Sequence, residues 1–320
     1  MTQMENAGVL GISLIYDQLR IVEGEKHSNE FQITQIANGR VRRPFTFEVF
    51  SGKNLARRFA EDITRLCETQ GFQVKEAAFS LDSRMVLIKK IPVDQYLNES
   101  KIEDQIIWEV RQFAISPVNE YIVDFEQLKS SQDGSAVKHM LVVIVRKRIV
   151  EFVKQIFKHT DLQLKVVDVD IFSAQRALQL NYDYNKVGRV GLIEIEEKKV
   201  NFSILEGRNY FLSHEVPFPA NNTLDNRDDT TTQLISKELR RIILDHQIGR
   251  TVEDLSEIYL YGEAVEDGVL EGLQNTYNVR IDRANPFKKV KLVTKLRDQI
   301  NETRSERFMI SVGAAIRGIQ

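Results

Sequence analysis

The sequence has one cysteine, Cys67, in 320 residues, and its longest apolar runs, such as 140–145, have the length of a strand. A single thiol excludes an internal disulfide framework and fits a reducing compartment. The apolar runs are far below the ~18 residues that a membrane-spanning helix needs. The N-terminus also lacks the basic segment and apolar stretch of a signal peptide. These absences predict a cytoplasmic protein without direct membrane insertion.

An excess of charge of one sign is also missing. The 44 basic and 46 acidic residues give a formal net charge of -2, which does not favour binding to nucleic acid. The five histidines are dispersed, no zinc-like spacing occurs, and the common hydrolase and P-loop motifs are absent. The sequence therefore predicts no catalytic residue and no metal site. Its 42% of hydrophobic residues predict one large bilobed domain or two modest ones.

The most informative pattern is a repeated order of elements. Residues 8–81 and 188–264 both read as strand, strand, strand, helix, strand. The strands are predicted at 9–16, 19–24, 31–37 and 74–81, and again at 189–195, 199–205, 209–216 and 257–264. The helices follow from the apolar positions Leu55, Phe59, Ile63 and Leu66, and Leu234, Leu239, Ile242 and Ile243; Gly71 ends the first, and Thr230–Thr232 offer N-caps to the second. A duplication predicts two similar lobes with a cleft between them; chance repetition of α/β units is the alternative.

The segment 90–165 interrupts this scheme. A capping-box pattern at Ser100 to Glu103 precedes the helical apolar face of Ile102, Ile106, Val110 and Ala114. Two strands at 121–128 and 139–146 and a second amphipathic helix follow. We interpret the segment as a module of helix, two strands and helix inserted into the first lobe.

Several stretches in this order resemble one family. The stretches are 19–23, 106–128, 140–178, 285–290 and 308–318. Together they resemble the type IV pilus assembly protein PilM family, whose members are actin-like relatives of the division protein FtsA. The resemblance implies an α/β, actin-like (duplicated ribonuclease H-like) bilobed fold with an inserted α/β subdomain in the first lobe. It places the first lobe at 1–185, the inserted subdomain at about 90–165 and the second lobe at 186–320.

The resemblance also implies a function. It indicates a cytoplasmic adaptor of a type IV pilus or related secretion platform, peripheral to the inner membrane through a partner. The implied partner is the N-terminal tail of a PilN-like membrane protein, held in a groove near the inserted subdomain. The cytoplasmic motor ring and further copies of the chain are additional candidate partners. The cytoplasmic part of a type II secretion platform protein is an alternative within the same class.

Typical family members bind ATP with magnesium, and here the sequence departs from them. An actin-like site needs small residues and an Asp in each phosphate hairpin. The positions equivalent to that nucleotide site are Gly11, Ser13, Ile15, Glu194, Glu196, Gly262 and Glu263. A Gly-Gly turn is also replaced, at 217–222. Because four elements change together, we expect no bound cofactor and no ATP hydrolysis; an active ATPase or sugar-kinase relative is the alternative. Lys198 and Lys199 are interpreted as a solvated hairpin tip.

Two further sets of residues are candidates for function. By resemblance and amphipathicity, the predicted partner-binding residues are Trp108, Arg111, Phe113, Ile115 and Tyr121. Trp108 lies off the strict apolar stripe, so it is either a buried core residue or the anchor of a groove. Asp168 and Asp170 are candidate carboxylates near the cleft, or else strand-end and cap residues.

Overall fold

The computed structural model describes residues 8–27, 30–52, 54–128, 137–184, 188–218, 227–301 and 304–320. The strands are β1 (Gly8–His27), β2 (Glu30–Phe45), β3 (Glu76–Leu81), β4 (Val86–Asp94), β5 (Tyr121–Leu128), β6 (Val137–Arg146), β7 (Gln163–Val169), β8 (Arg189–Ile195), β9 (Lys199–Glu206), β10 (Asn209–Pro217), β11 (Glu257–Tyr261), β12 (Arg280–Arg283) and β13 (Lys291–Leu292). The α-helices are α1 (Leu55–Gln70), α2 (Glu99–Phe113), α3 (Lys147–Lys158), α4 (Asp170–Asn181), α5 (Arg227–Asp245), α6 (Asp267–Thr276), α7 (Thr294–Asn301) and α8 (Met309–Ile319). Within these ranges, no helix combines the length and the apolar character that crossing a bilayer requires.

The first five-stranded sheet has the order β13-β2-β1-β3-β7, and its long strand β1 doubles back on itself. The first arm of β1 runs parallel to β3, and the second arm runs antiparallel to β2. Tyr16, between the arms, has a φ of 55°. A Cβ on Gly8 would lie 3.5 Å from Cγ of Glu25, although a straight strand would separate these residues by more than ~50 Å. The strands predicted at 9–16 and 19–24 are therefore confirmed as two arms of one element.

The second sheet repeats this arrangement with the order β10-β9-β8-β11-β12. Strands β8 and β9 form an antiparallel hairpin, and β11 runs parallel to β8. In the first lobe, the two arms of β1 count as strands one and two, and β2, β3 and β7 count as strands three, four and five. In the second lobe, β8 to β12 are strands one, two, three, four and five, with β9 as strand two and β10 as strand three. With this numbering, both sheets contain the strand order 3-2-1-4-5. The predicted duplication is confirmed.

Helix α1 follows the predicted pattern. Leu55, Phe59 and Ile63 are buried on its inner face. Gly71 ends the helix with a φ of 77°, and its N–H donates to the carbonyl of Cys67. Cys67 packs in the same core, and its burial raises the pKa of the thiol to about 11.

Helix α5 begins earlier than the sequence predicts. The predicted N-cap residues, Thr230–Thr232, lie inside α5. The first turn instead contains Asp228 and Asp229, whose negative charge is favourable beside the positive end of the helix dipole. The prediction of threonine caps was therefore wrong.

The inserted module also differs from its prediction. Its strands form a three-stranded sheet of order β4-β6-β5, against which α2 packs Ile102, Ile106 and Val110. The prediction omitted β4. It also assigned α3 to the module, whereas Val153 and Phe157 of α3 pack in the core formed by β1, β3 and α1. An amphipathic pattern shows that a helix has a buried face but not which core receives it.

Helix α2 begins one residue before the predicted cap. The N-cap is Asn98, whose Oδ1 accepts a hydrogen bond of 3.0 Å from the backbone N–H of Lys101. The predicted cap, Ser100, already lies in the first turn of the helix. Asn and Ser are comparably good caps, so the sequence pattern alone did not separate them.

The end of the chain returns to the first sheet. Strand β13 pairs with β2, and α8 packs on β1 and against α4. The contact with α4 is close, because a Cβ on Gly313 would lie 1.7 Å from the carbonyl oxygen of Ser173. The lobe boundaries at 185 and 186 stay a prediction, and β13 and α8 lie with the first lobe in space.

Candidate functional site

The turns of the two lobes meet across the cleft. The first turn is the reversal of β1 at Tyr16, and the second joins β8 to β9. Nζ of Lys198 lies 3.8 Å from the centroid of the Tyr16 ring and contacts its hydroxyl. Arg40 of β2 pairs with Asp17 at 3.1 Å and with Glu197 at 3.4 Å. The cavity between the turns is about 20 Å³, which is room for about one water molecule.

Below these turns, the ammonium group of Lys199 is surrounded by carboxylates. Nζ donates to Oδ1 of Asp82 and to Oε2 of Glu215, both at 3.2 Å. It also lies 3.3 Å from Oε2 of Glu194 and 3.9 Å from Oδ2 of Asp170. Only 4% of the Lys199 side chain is exposed, and Asp170 and Glu194 are fully buried.

The topology explains why these groups converge. Strands β3 and β7 are parallel neighbours, so their carboxyl ends lie at the same edge of the sheet. Asp82 follows β3, and Asp170 follows β7 as the first residue of α4. Asp170 accepts hydrogen bonds from the backbone N–H and the hydroxyl of Ser83. In the second lobe, Glu194 lies near the end of β8 and Lys199 starts β9.

The charges in this cluster shift its pKa values in opposite directions. Burial opposes ionisation of Lys199, but the four carboxylates outweigh it and hold the ammonium pKa well above its usual value. Burial would raise the pKa of Asp82, yet Lys199 and Arg84 lower it to about 2. Burial, reinforced by neighbouring carboxylates, raises the pKa of Asp170 and Glu194. The cluster thus combines a cation with one carboxylate, Asp82, that loses its proton more readily than usual and two carboxyl groups, Asp170 and Glu194, that retain theirs more readily.

A second buried charge group lies beside the first. Arg20 of β1 pairs with Oε2 of Glu263, and Arg307 pairs with Oε1 of the same carboxylate at 3.1 Å. The backbone N–H of Glu263 donates to Oε1 of Glu196 at 3.2 Å. Burial raises the pKa of Glu196 to about 8, although Arg20 opposes this shift.

The structure separates the predicted phosphate-site residues by role. Glu194 and Glu196 lie in the two charge groups just described. Ser13 is fully buried, and its hydroxyl has no hydrogen-bond partner among the described residues. Ile15 is buried in the core between the lobes. Gly262 has a φ of 114°, and a Cβ there would lie 2.5 Å from the carbonyl oxygen of Ile195, so the backbone itself requires glycine.

The sequence interpretation missed the centre of the cluster. Lys199 was predicted to lie in a solvated hairpin tip, and this was wrong: it is buried, and Lys198 occupies the tip. The signal was an alternation along β9, with polar residues at 199, 201 and 203 and apolar ones at 200, 202 and 204. Asp170 was a candidate and belongs to the cluster; Asp168 instead pairs with Arg176 at 2.7 Å. Asp82 was not singled out.

A groove of about 510 Å³ lies beside the inserted module. One wall is β5, a strand at the edge of its sheet that pairs only with β6 among the described strands. The opposite wall is α4 with the β9–β10 turn, where Gln175 and Gln179 both donate to the carbonyl of Arg208. The floor is apolar. It is formed by Leu141, Val143, Phe172 and Tyr210.

The predicted partner-binding residues do not line this groove. Trp108 is 57% exposed, so the alternative of a buried core tryptophan was wrong. Ile115 is 91% exposed and Arg111 is exposed. Phe113 lies under Lys89, with Nζ at 5.7 Å from the ring centroid, and the Tyr121 hydroxyl accepts from the N–H of Ser116. Trp108, Arg111 and Phe113 lie on α2, and Ile115 follows its end. Tyr121 begins β5 and packs on the side of that strand that faces α2, opposite the groove.

Within the described residues, no group of three or more His, Cys, Asp or Glu side chains is placed to hold a metal ion. The carboxylates of the cleft are arranged around the ammonium of Lys199 instead. The altered turn predicted at 217–222 lies outside the described residues from position 219 onward.

Solved structures with the same architecture establish the fold. A structure of a PilM-PilN type IV pilus biogenesis complex matches 98% of this chain and 98% of its own, with a TM-score of 0.79 and 18% identity. A Bacteroides thetaiotaomicron protein with an actin-like ATPase fold and unknown function matches 94% of this chain and 99% of its own, with a TM-score of 0.51 and 10% identity. The cytoplasmic domain of EpsL, from the type II secretion system of Vibrio cholerae, matches 94% of this chain and 98% of its own, with a TM-score of 0.50 and 11% identity. The chain therefore has the actin-like bilobed fold.

The sequence itself shows the family. The sequence model of the type IV pilus assembly protein PilM family matches residues 11–226, which is more than half of the chain. This range contains the reversal of β1, the inserted module and the β8–β9 hairpin. The chain belongs to the type IV pilus assembly protein PilM family.

Proposed function

We propose that this chain is a cytoplasmic adaptor that binds the N-terminal tail of a PilN-like membrane protein and does not hydrolyse ATP. The observation that carries the proposal is a groove beside the edge of β5 with which no described strand pairs, in a chain of this family. The tail would hold the protein at the inner membrane, as part of the type IV pilus platform. Family membership supports a place in the type IV pilus platform, and the fold shared with a PilM-PilN complex supports a PilN-like partner.

The edge of β5 suits an extended peptide. An unpaired strand edge offers alternating N–H and C=O groups to a further strand, and pockets beside it select side chains. Leu141 and Val143 of β6 face this groove, whereas the intervening Val142 packs against α2. A tail whose backbone pairs with β5 would lie beside Asp124 and Glu126, and a long apolar side chain of it would reach over β5 to the floor at Leu141 and Val143.

The groove also has charges that can orient a tail. Asp124 and Glu126 lie on the β5 wall, and Arg208 and Arg317 lie on the other side. A bound segment would therefore place cationic groups toward β5 and anionic groups toward the arginines. This pattern favours one direction of the tail over its reverse.

The cleft supports the nucleotide part of the proposal. A magnesium ion with a triphosphate needs open space and oxygen ligands that are free to coordinate it. In this cleft an ammonium group already contacts four carboxylates, and the cavity at the turns is about 20 Å³. Glu196 adds a carboxyl group beside the site. These residues do not fit Mg-ATP, so we infer an adaptor that acts without it.

Isothermal titration calorimetry with Mg-ATP, followed by a synthetic N-terminal tail of the PilN-like protein from the same organism, tests both parts. We expect heat from the tail and none from Mg-ATP. Stoichiometric binding of Mg-ATP would overturn the nucleotide part and restore the alternative of an active ATPase. If the folded protein does not bind the tail, the adaptor part of the proposal is overturned. The type II secretion alternative is disfavoured, because the EpsL domain has a TM-score of 0.50 against 0.79 for the PilM-PilN complex.

A further inference from the structure

The carboxylates around Lys199 come from both lobes. Asp82 and Asp170 follow strands of the first sheet, whereas Glu194 and Glu215 belong to strands of the second. All four lie within 3.9 Å of the same Nζ atom. One ammonium group therefore joins the carboxyl edge of the first sheet to the hairpin strands of the second.

The arrangement depends on the cation because the cluster is buried. Carboxylates within a few ångströms of each other in a protein interior repel strongly, and an opposite charge between them offsets that repulsion. Removal of one partner from a buried ion pair leaves its counterpart uncompensated, which is far costlier than the loss of an exposed pair. Without Lys199, the one cation among the described residues that would still pair with a carboxylate of this cluster is Arg84, which pairs with Asp82 at 2.6 Å.

Neighbouring contacts cross the cleft at the same level. Nδ2 of Asn201 in β9 donates to the Ser83 hydroxyl at 3.1 Å. Arg20 in β1 pairs with Glu263 after β11. These contacts are polar and lie between the sheets, so they form only when the lobes are closed.

We propose that Lys199 is a built-in counter-ion that holds the two lobes closed without any bound nucleotide or metal. The chain supplies from its own sequence the positive charge that an external ligand would otherwise bring between the lobes. The closed cleft is then the resting state of the protein. Closure by Lys199 is independent of the partner that the groove binds.

The test compares Lys199→Met, which removes the charge but keeps a long side chain, with Lys199→Arg, which keeps the charge. The matched control is Lys165→Met, because Lys165 pairs with Glu76 at 2.8 Å on the surface. Small-angle X-ray scattering and amide hydrogen exchange report lobe opening. We expect Lys199→Met to have a larger radius of gyration and at least about tenfold faster exchange at 82–84 and 199–201. Lys199→Arg should change less, and Lys165→Met should match the wild type.

Two further measurements keep the proposal testable if Lys199→Met does not fold. The double variant Lys199→Met with Glu194→Gln removes one charge of each sign, and it should fold and still open. The wild-type protein should give the same scattering profile with and without Mg-ATP. Compaction of the wild-type protein on adding Mg-ATP would overturn the proposal. So would a Lys199→Met protein, single or double variant, whose scattering and hydrogen exchange match those of the wild type.

Discussion

Gly11 of β1 lies directly against the carbonyl oxygen of Ser311 in α8: a Cβ at position 11 would be only 2.0 Å from that oxygen. The backbone nitrogen of Ala315 would be 2.4 Å away. Both neighbours are backbone atoms, which cannot rotate aside as a side chain can. Gly11 is therefore required for packing of the last helix on the first sheet, whether or not a phosphate is bound.

This contact predicts that Gly11→Ala destabilises the protein. Overpacking of a tight core contact lowers the free energy of unfolding by about 1–3 kcal/mol. Because the neighbours of Gly11 are backbone atoms, we expect Gly11→Ala to lie at the upper end of this range. Gly191→Ala is the matched control, because Gly191 lies on the first strand of the second lobe and its Cβ would make ordinary contacts with side chains only, Ile258 at 3.4 Å and Leu255 at 3.5 Å. Urea unfolding should give a clearly lower free energy of unfolding for Gly11→Ala alone. Equal stabilities of the two variants would contradict the packing argument.

The repeated order of elements was predictable because it depends on local patterns. Apolar periodicity along 8–81 and 188–264 predicts each strand and helix without reference to distant residues. The place of α3 was not predictable in this way. Its apolar face is evident, but the choice between the module and the first lobe depends on contacts with α1 that the sequence does not encode locally.

Lys199 shows the same limit at the candidate site. A run of charges between two strands is usually solvated, and Lys198 follows that rule. Lys199 departs from it because Asp82, more than a hundred residues away, provides a counter-charge only after both lobes fold. Trp108 is the opposite case, because a local pattern was informative. It lies two positions from the apolar residues Ile106 and Val110 of α2, which indicated that it could lie outside the core.

The raised pKa of Glu196 predicts a pH-dependent loss of stability. The carboxyl titrates near pH 8 in the folded protein and near its ordinary 4.5 in the unfolded chain. Between these values the folded state binds more protons, so the free energy of unfolding falls as pH rises. The contribution is fully present below about pH 4.5 and is lost as pH rises through about 8.

Unfolding by urea at several pH values from 5 to 9 measures this effect. The slope attributable to one carboxyl is at most about 1.4 kcal/mol per pH unit. Glu196→Gln keeps the acceptor for the Glu263 N–H but cannot ionise, so its stability should decline less steeply than that of the wild type. Parallel declines would show that Glu196 does not titrate in this range.

The exposure of Trp108 predicts that it contributes little to stability. Trp108→Ala should change the free energy of unfolding by no more than about 0.5 kcal/mol, as for most surface substitutions. Ile106→Ala, two residues away on the buried face of α2, should cost about 2–5 kcal/mol. Thermal and urea unfolding compare the two. A large loss for Trp108→Ala would mean that the tryptophan supports the module.

The groove and the α2 face are alternative sites for the tail, and substitutions separate them. Leu141→Asp puts a charge on the apolar floor and should weaken tail binding at least about tenfold, or 1.4 kcal/mol. Leu87→Asp is the control, because Leu87 is an exposed apolar residue of the same three-stranded sheet and does not line the groove. Trp108→Ala tests the predicted face of Trp108, Arg111, Phe113, Ile115 and Tyr121. Calorimetry on variants with wild-type circular dichroism should find loss only in Leu141→Asp, whereas loss only in Trp108→Ala would move the tail to α2.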